Sequence, residues 1–197
     1  MGVDAGKSLT PAVLLGDSLT ENASFSRLDW FSKANQSIGD EFRILSNQGV
    51  GGERTDQIFA RITDTTDPNP ALVTVLAGTN DVSQSVSAAT IQANLSDIYD
   101  ALQTASISFI AITIPPRSAQ DGTKAAVQLA VNEWIVANAG SWTGASVCDW
   151  RSVLASDGDG LTPIGDYFQD DVHFNSAGAT AAATALAPVL SAAFDAL

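Results

Sequence analysis

Histidine, cysteine and positive charge are all scarce in this chain. It holds one cysteine, Cys148, and one histidine, His173. A single cysteine cannot close an internal disulfide, and with one histidine it cannot supply the four ligands of a structural zinc site. That excludes a Cys/His structural zinc site, and no metal and no cofactor is expected. Nine Lys and Arg face 22 Asp and Glu, a formal net charge of −13, and the resulting field repels phosphate backbones and anionic lipid. Nucleic acid is disfavoured as a partner, and a small neutral or weakly charged substrate is expected. The longest apolar runs fall short of the ~20 residues that cross a bilayer, so the sequence predicts a soluble chain without a membrane span. Residues 1–8 lack the apolar core of a secretory signal. That leaves a cytoplasmic protein or a mature or excised extracellular domain, and the oligomeric state is unmarked.

The 197 residues, 45% of them hydrophobic, fit one domain over 1–197 that buries roughly 70% of its unfolded surface. Short apolar runs suited to buried strands occur at 12–15, 42–45, 72–76, 107–114 and 145–148. Helical spacings lie between them: Phe25, Leu28 and Phe31; Thr55, Ile58, Phe59 and Ile62; Ile91, Leu95, Ile98 and Leu102; Val127, Val131, Trp134 and Ile135; and finally Leu186, Val189, Leu190 and Phe194. Strict alternation of strand and helix predicts right-handed crossovers and a mostly parallel five-stranded sheet in a three-layer α/β/α sandwich. Ligands of such sheets bind beyond the carboxyl ends of the strands.

Those ends carry a coherent set of groups. Gly16-Asp17-Ser18-Leu19-Thr20 follows the first strand, Asn47-Gln48-Gly49-Val50-Gly51-Gly52 the second, Gly78-Thr79-Asn80-Asp81 the third, and a long loop ending in Asp170-Asp171-Val172-His173 the fifth. Ser18 offers a hydroxyl, His173 a base for it, and Asp170 an acceptor that can fix the imidazole. The offset of three residues favours Asp170 over Asp171 as the orienting carboxylate. Backbone N–H groups of Ser18 and Gly49 and the amide of Asn80 would make a three-donor oxyanion hole. As the sole imidazole, His173 must do any base chemistry near neutral pH.

In these four blocks, taken in order, the sequence resembles the SGNH hydrolases, also called GDSL esterases and lipases. The resemblance spans nearly the whole chain and implies a flavodoxin-like fold with five parallel strands. It also implies a serine ester hydrolase in which Ser18 is the nucleophile, Gly49 and Asn80 are oxyanion donors, Asp170 orients, and His173 is base and then acid. Acetylated sugars, short-chain esters or lysophospholipids are the substrates it suggests, with a small-ester or carbohydrate deacylase favoured by the acidic surface. The extra glycine pair Gly51-Gly52, and Asp171 where a small residue is usual, depart from the pattern.

Other readings of the same residues stand beside this one. Ser18 with Glu21 three residues on forms a capping box, so Ser18 could simply start a helix. Cys148 is a second conceivable nucleophile, though a buried apolar role suits it better. Asp157-Gly158-Asp159-Gly160 resembles part of a calcium loop but lacks the first ligand and reads as a tight turn. Gly2 to Ser8 is one residue short of a phosphate loop. The alternative to an enzyme is a non-catalytic carbohydrate-binding or structural module on the same fold.

Overall fold

Strand β1 (Thr10–Gly16) is buried on both faces, with Ala12 and Leu14 in one apolar cluster and Val13 and Leu15 in the other. A run without polar alternation does this when a parallel strand has helices on each side. The computed structural model describes residues 8–21, 29–118 and 120–197. Around β1 it places β2 (Phe42–Gly49), β3 (Leu72–Leu76), β4 (Ser108–Ile112) and β5 (Ala145–Cys148) in the parallel order β2-β1-β3-β4-β5. This is the expected α/β/α fold. The chain steps from β1 to β2 on one side and then to β3 on the other, so the strand order reverses beside β1 and opens a crevice at its carboxyl end.

The two cores divide the helices. Helix α2 (Trp30–Ser37) and helix α9 (Ser176–Asp195) cover one face, while α3 (Thr55–Ala60), α6 (Ala88–Thr104) and α7 (Gly122–Asn138) cover the other. In α6 the predicted stripe of Ile91, Leu95, Ile98 and Leu102 is fully buried. Helix α9 is long and apolar enough in composition to cross a membrane, which run length alone did not reveal. Here it lies against α2 and the sheet, with Ala179, Ala182, Leu186 and Leu190 inside the core.

Several boundaries differ from expectation. β2 continues through the polar residues Ser46 to Gln48, because it is an edge strand whose side chains are only half buried, and its register with β1 shifts at Ala12/Val13. The expected helix over 55–62 breaks at Arg61, with α4 (Ile62–Thr66) beyond it, and Phe59 faces outward. Short helices α1 (Ser18–Glu21), α5 (Thr79–Ser83) and α8 (Arg151–Leu154) carry too few residues for periodicity to mark them. Phe31 is buried in α2, whereas Phe25, Leu28 and the Gly2 to Lys7 part of the phosphate-loop motif lie outside the described residues.

Candidate active site

At the carboxyl end of β1, capping and chemistry fall to adjacent residues. Helix α1 starts at Ser18, so Asp17 is its cap: Asp17 Oδ1 accepts the Leu19 N–H at 3.0 Å, and the Asp17 carbonyl accepts those of Thr20 and Glu21. The Ser18 hydroxyl is thereby released from the capping role that the Ser18/Glu21 spacing suggested. It lies 2.9 Å from His173 Nε2. The indole of Trp30 donates to the Leu19 carbonyl at 3.0 Å and ties this turn to α2.

His173 is held by a small pinned loop. Phe168 and Phe174 pair antiparallel, the Gln169 N–H donates to the His173 carbonyl, and the Asn175 N–H donates to Tyr167. Asn175 then caps α9 by accepting from Ala177 and Gly178. Beneath the loop Phe174 packs edge-on against Trp150 at 5.8 Å, and Trp150 packs against Trp30 at 5.2 Å. The Ser18 turn and the His173 loop thus share one aromatic floor.

Asp170 does two things at once. Its Oδ1 accepts the N–H groups of Val172 and His173 at 2.8 and 2.7 Å, and its Oδ2 lies 2.9 Å from His173 Nδ1. Burial alone would raise this carboxyl, but the two backbone donors and the imidazole outweigh it and hold Asp170 below the usual carboxylate range. An ionised carboxylate only accepts, so the neutral imidazole carries its hydrogen on Nδ1 and offers the Nε2 lone pair to Ser18. Asp171 contributes a carbonyl, which accepts the Ser118 N–H at 3.0 Å.

The expected oxyanion donors come together less simply. Asn80 sits at the start of α5, where Gly78 turns the chain at φ 119°; a Cβ there would meet Ile114 at 2.6 Å. The Asn80 amide donates to the Glu53 carbonyl at 2.9 Å and lies 3.5 Å from Asp17 Oδ2. The Ser18 N–H, first in its helix, has no acceptor within α1. Gly49 departs from expectation: its N–H donates to Asn47 Oδ1 at 2.8 Å and is already committed. Glycine is needed at this position for close packing instead, since a Cβ would lie 2.0 Å from the Glu21 nitrogen. The turn that follows, closed by Glu53 N–H to the Val50 carbonyl, leaves the Gly51 and Gly52 N–H groups without acceptors among the described residues. A Cβ on Gly51 would be 3.7 Å from Ser18 Cβ, which sets this turn beside the hydroxyl.

Two further carboxyls are buried under the site. Asp17 is fully enclosed, and burial pushes it up to about 7 against the Leu19 N–H and the nearby His173, with Asp81 adding to the rise. Burial also raises Asp81, although the Thr55 hydroxyl and N–H bind it at 2.7 and 2.9 Å. Asp81 is thus a brace between α5 and α3. Cys148 is buried and its thiol is pushed up to about 12, which removes it as a nucleophile. Asp157 accepts from Leu161 and Thr162 and forms the tight turn. A hydroxyl, an imidazole and a carboxylate in line, beside unspent N–H donors, is an arrangement suited to acyl transfer.

Residues 14–181 match the model of the GDSL-like Lipase/Acylhydrolase family. Among curated proteins none matches the sequence. Similar solved structures include a member of the lipolytic protein G-D-S-L family from Veillonella parvula, 22% identical with a TM-score of 0.76 over 92% of this chain and 98% of the other. A carbohydrate esterase family 3 structure from Talaromyces cellulolyticus is 21% identical, with a TM-score of 0.74 over 96% of this chain and 100% of the other. The acetyl xylan esterase AlAXEase is 18% identical, with a TM-score of 0.72 over 91% and 99%.

Proposed function

Because this chain belongs to the GDSL-like Lipase/Acylhydrolase family and is an ester hydrolase, we propose that it works through an acyl-enzyme on Ser18. The observation that carries this reading is the contact of Ser18 Oγ with His173 Nε2 at 2.9 Å, with Asp170 on the other ring nitrogen. His173 takes the hydroxyl proton as Ser18 Oγ bonds to the acyl carbon, and the carbonyl oxygen becomes an oxyanion. The ester C–O bond then breaks, and His173 returns the proton to the departing alkoxide. Water, deprotonated by the same imidazole, attacks the acyl-serine; the carboxylic acid leaves and Ser18 regains its proton. The Ser18 N–H and the Asn80 amide hold the oxyanion, and the Gly49 N–H joins them only by leaving Asn47 Oδ1.

The substrate is a small neutral ester, and an O-acetylated carbohydrate suits it best. The acidic surface supports this reading by disfavouring anionic lipid. So do the similar structures described as an acetyl xylan esterase and a carbohydrate esterase. No observation favours the non-catalytic module. The test is release of 4-nitrophenol from its acetate ester: the wild type turns over and Ser18→Ala does not. Turnover by Ser18→Ala at the wild-type rate would remove Ser18 from the mechanism.

A further inference from the structure

We propose that the Arg61–Glu53 ion pair is a positioning device for the oxyanion hole, acting on the reaction through the Asn80 amide; the inference rests on the acyl-enzyme reading above. Arg61 occupies the break between α3 and α4, where the backbone leaves helical geometry and sends the side chain back toward β1. Its Nε donates to Glu53 Oε2 at 2.7 Å and its Nη2 to the Gly16 carbonyl at 3.0 Å. The Gly16 carbonyl also accepts the Val50 N–H at 3.1 Å. One guanidinium therefore clamps the turn of Val50 to Glu53 onto the last residue before Asp17-Ser18.

The clamp reaches the reacting groups through a carbonyl. The Glu53 carbonyl accepts the Asn80 amide at 2.9 Å, the shorter of that amide's two contacts. Glu53 is thus fixed at both ends: its carboxylate by Arg61 and its carbonyl by Asn80. The ion pair is largely enclosed, with side-chain exposures of 16% and 20%, and Arg61 Nη1 is buried without a partner among the described residues. Enclosure of that degree costs desolvation, which an exposed pair kept for solubility would avoid. What it secures here is geometry, since an oxyanion donor works only when held in place beforehand.

Arg61→Met keeps the apolar stem, and Glu53→Gln removes the charge while keeping the carbonyl that Asn80 uses. Rates on 4-nitrophenyl acetate, expressed per Ser18 titrated with a phosphonate ester, discount any misfolded fraction. Each variant should lose at least about 10-fold in kcat with KM within about 2-fold. The same Arg61→Met change made in Asn80→Ala should cost less than about 3-fold, because the group it positions is already gone. Losses that multiply in the double variant, or an unchanged kcat in both single variants, would overturn the proposal while leaving Ser18 in place. Equal turnover by wild type and Ser18→Ala would instead overturn the acyl-enzyme reading, and this proposal with it.

Discussion

Asp17 and Ser18 are consecutive, yet the Asp17 carboxylate turns inward to accept the Leu19 N–H at 3.0 Å while the Ser18 hydroxyl turns outward to His173 at 2.9 Å. Capping by the first residue is what frees the second.

That inward carboxyl should make stability depend on pH in the sense opposite to most acidic residues. Burial raises Asp17 from 3.8 to about 7, so between these values the folded state holds a proton that the unfolded chain has released. By linkage, its contribution is fully present below pH 3.8 and is lost as pH rises through about 7. Asp17→Asn keeps an acceptor for Leu19 and cannot titrate. Denaturant melts from pH 4 to 8 should show the wild type losing stability relative to the variant as pH rises; parallel profiles would mean that the burial cost is met in some other way.

At the His173 loop, Asp170 and Asp171 should separate sharply. Asp170→Asn retains an acceptor for the Val172 and His173 N–H groups, so the loop stays in place. The amide also brings a donor to Nδ1 and favours the wrong imidazole tautomer, which should lower kcat by about 10⁴-fold. Asp171→Asn leaves both contacts of His173 Nδ1 with Asp170 intact and should stay within about 3-fold of wild type. Similar losses at both positions, measured as kcat on the acetate ester, would dissolve the pairing.

Gly49→Ala tests packing against chemistry. A Cβ at 2.0 Å from the Glu21 backbone forces β2 and α1 apart, and overpacking of this kind costs about 1–3 kcal/mol or more. Gly52→Ala has open space around its Cβ but a φ of 82°, which costs about 1 kcal/mol for a residue with a side chain. Thermal melts should therefore rank Gly49→Ala below Gly52→Ala. The reverse order would contradict the close approach.

Much of this was legible in the residues because period-2 and period-3.6 patterns report burial, and burial places strand ends. The blocks around Ser18, Asn80 and His173 fell at those ends, and their spacing brought Asp170 within reach of the imidazole. What the pattern could not show was how polar groups are spent. Nothing in Asn47-Gln48-Gly49-Val50-Gly51-Gly52 says that the Asn47 carboxamide consumes the Gly49 N–H, since that depends on a side-chain rotamer. The Ser18/Glu21 spacing was equally ambiguous until Asp17 proved to be the cap. Arg61 sits in what reads as a continuous helix, and only the break there turns its side chain to Glu53.

The aromatic floor bears on how this molecule fails. Trp30 holds the turn after Ser18 through the Leu19 carbonyl, Trp150 carries the His173 loop through Phe174, and the two indoles meet edge-on. The hydroxyl and the imidazole are therefore backed by three aromatic rings in series, Trp30, Trp150 and Phe174. Both indoles are also wholly buried in the same apolar core, so shortening either would at once widen the gap between hydroxyl and imidazole and cost about 3–5 kcal/mol of fold stability, and the floor that aligns the site is the same one that holds the fold.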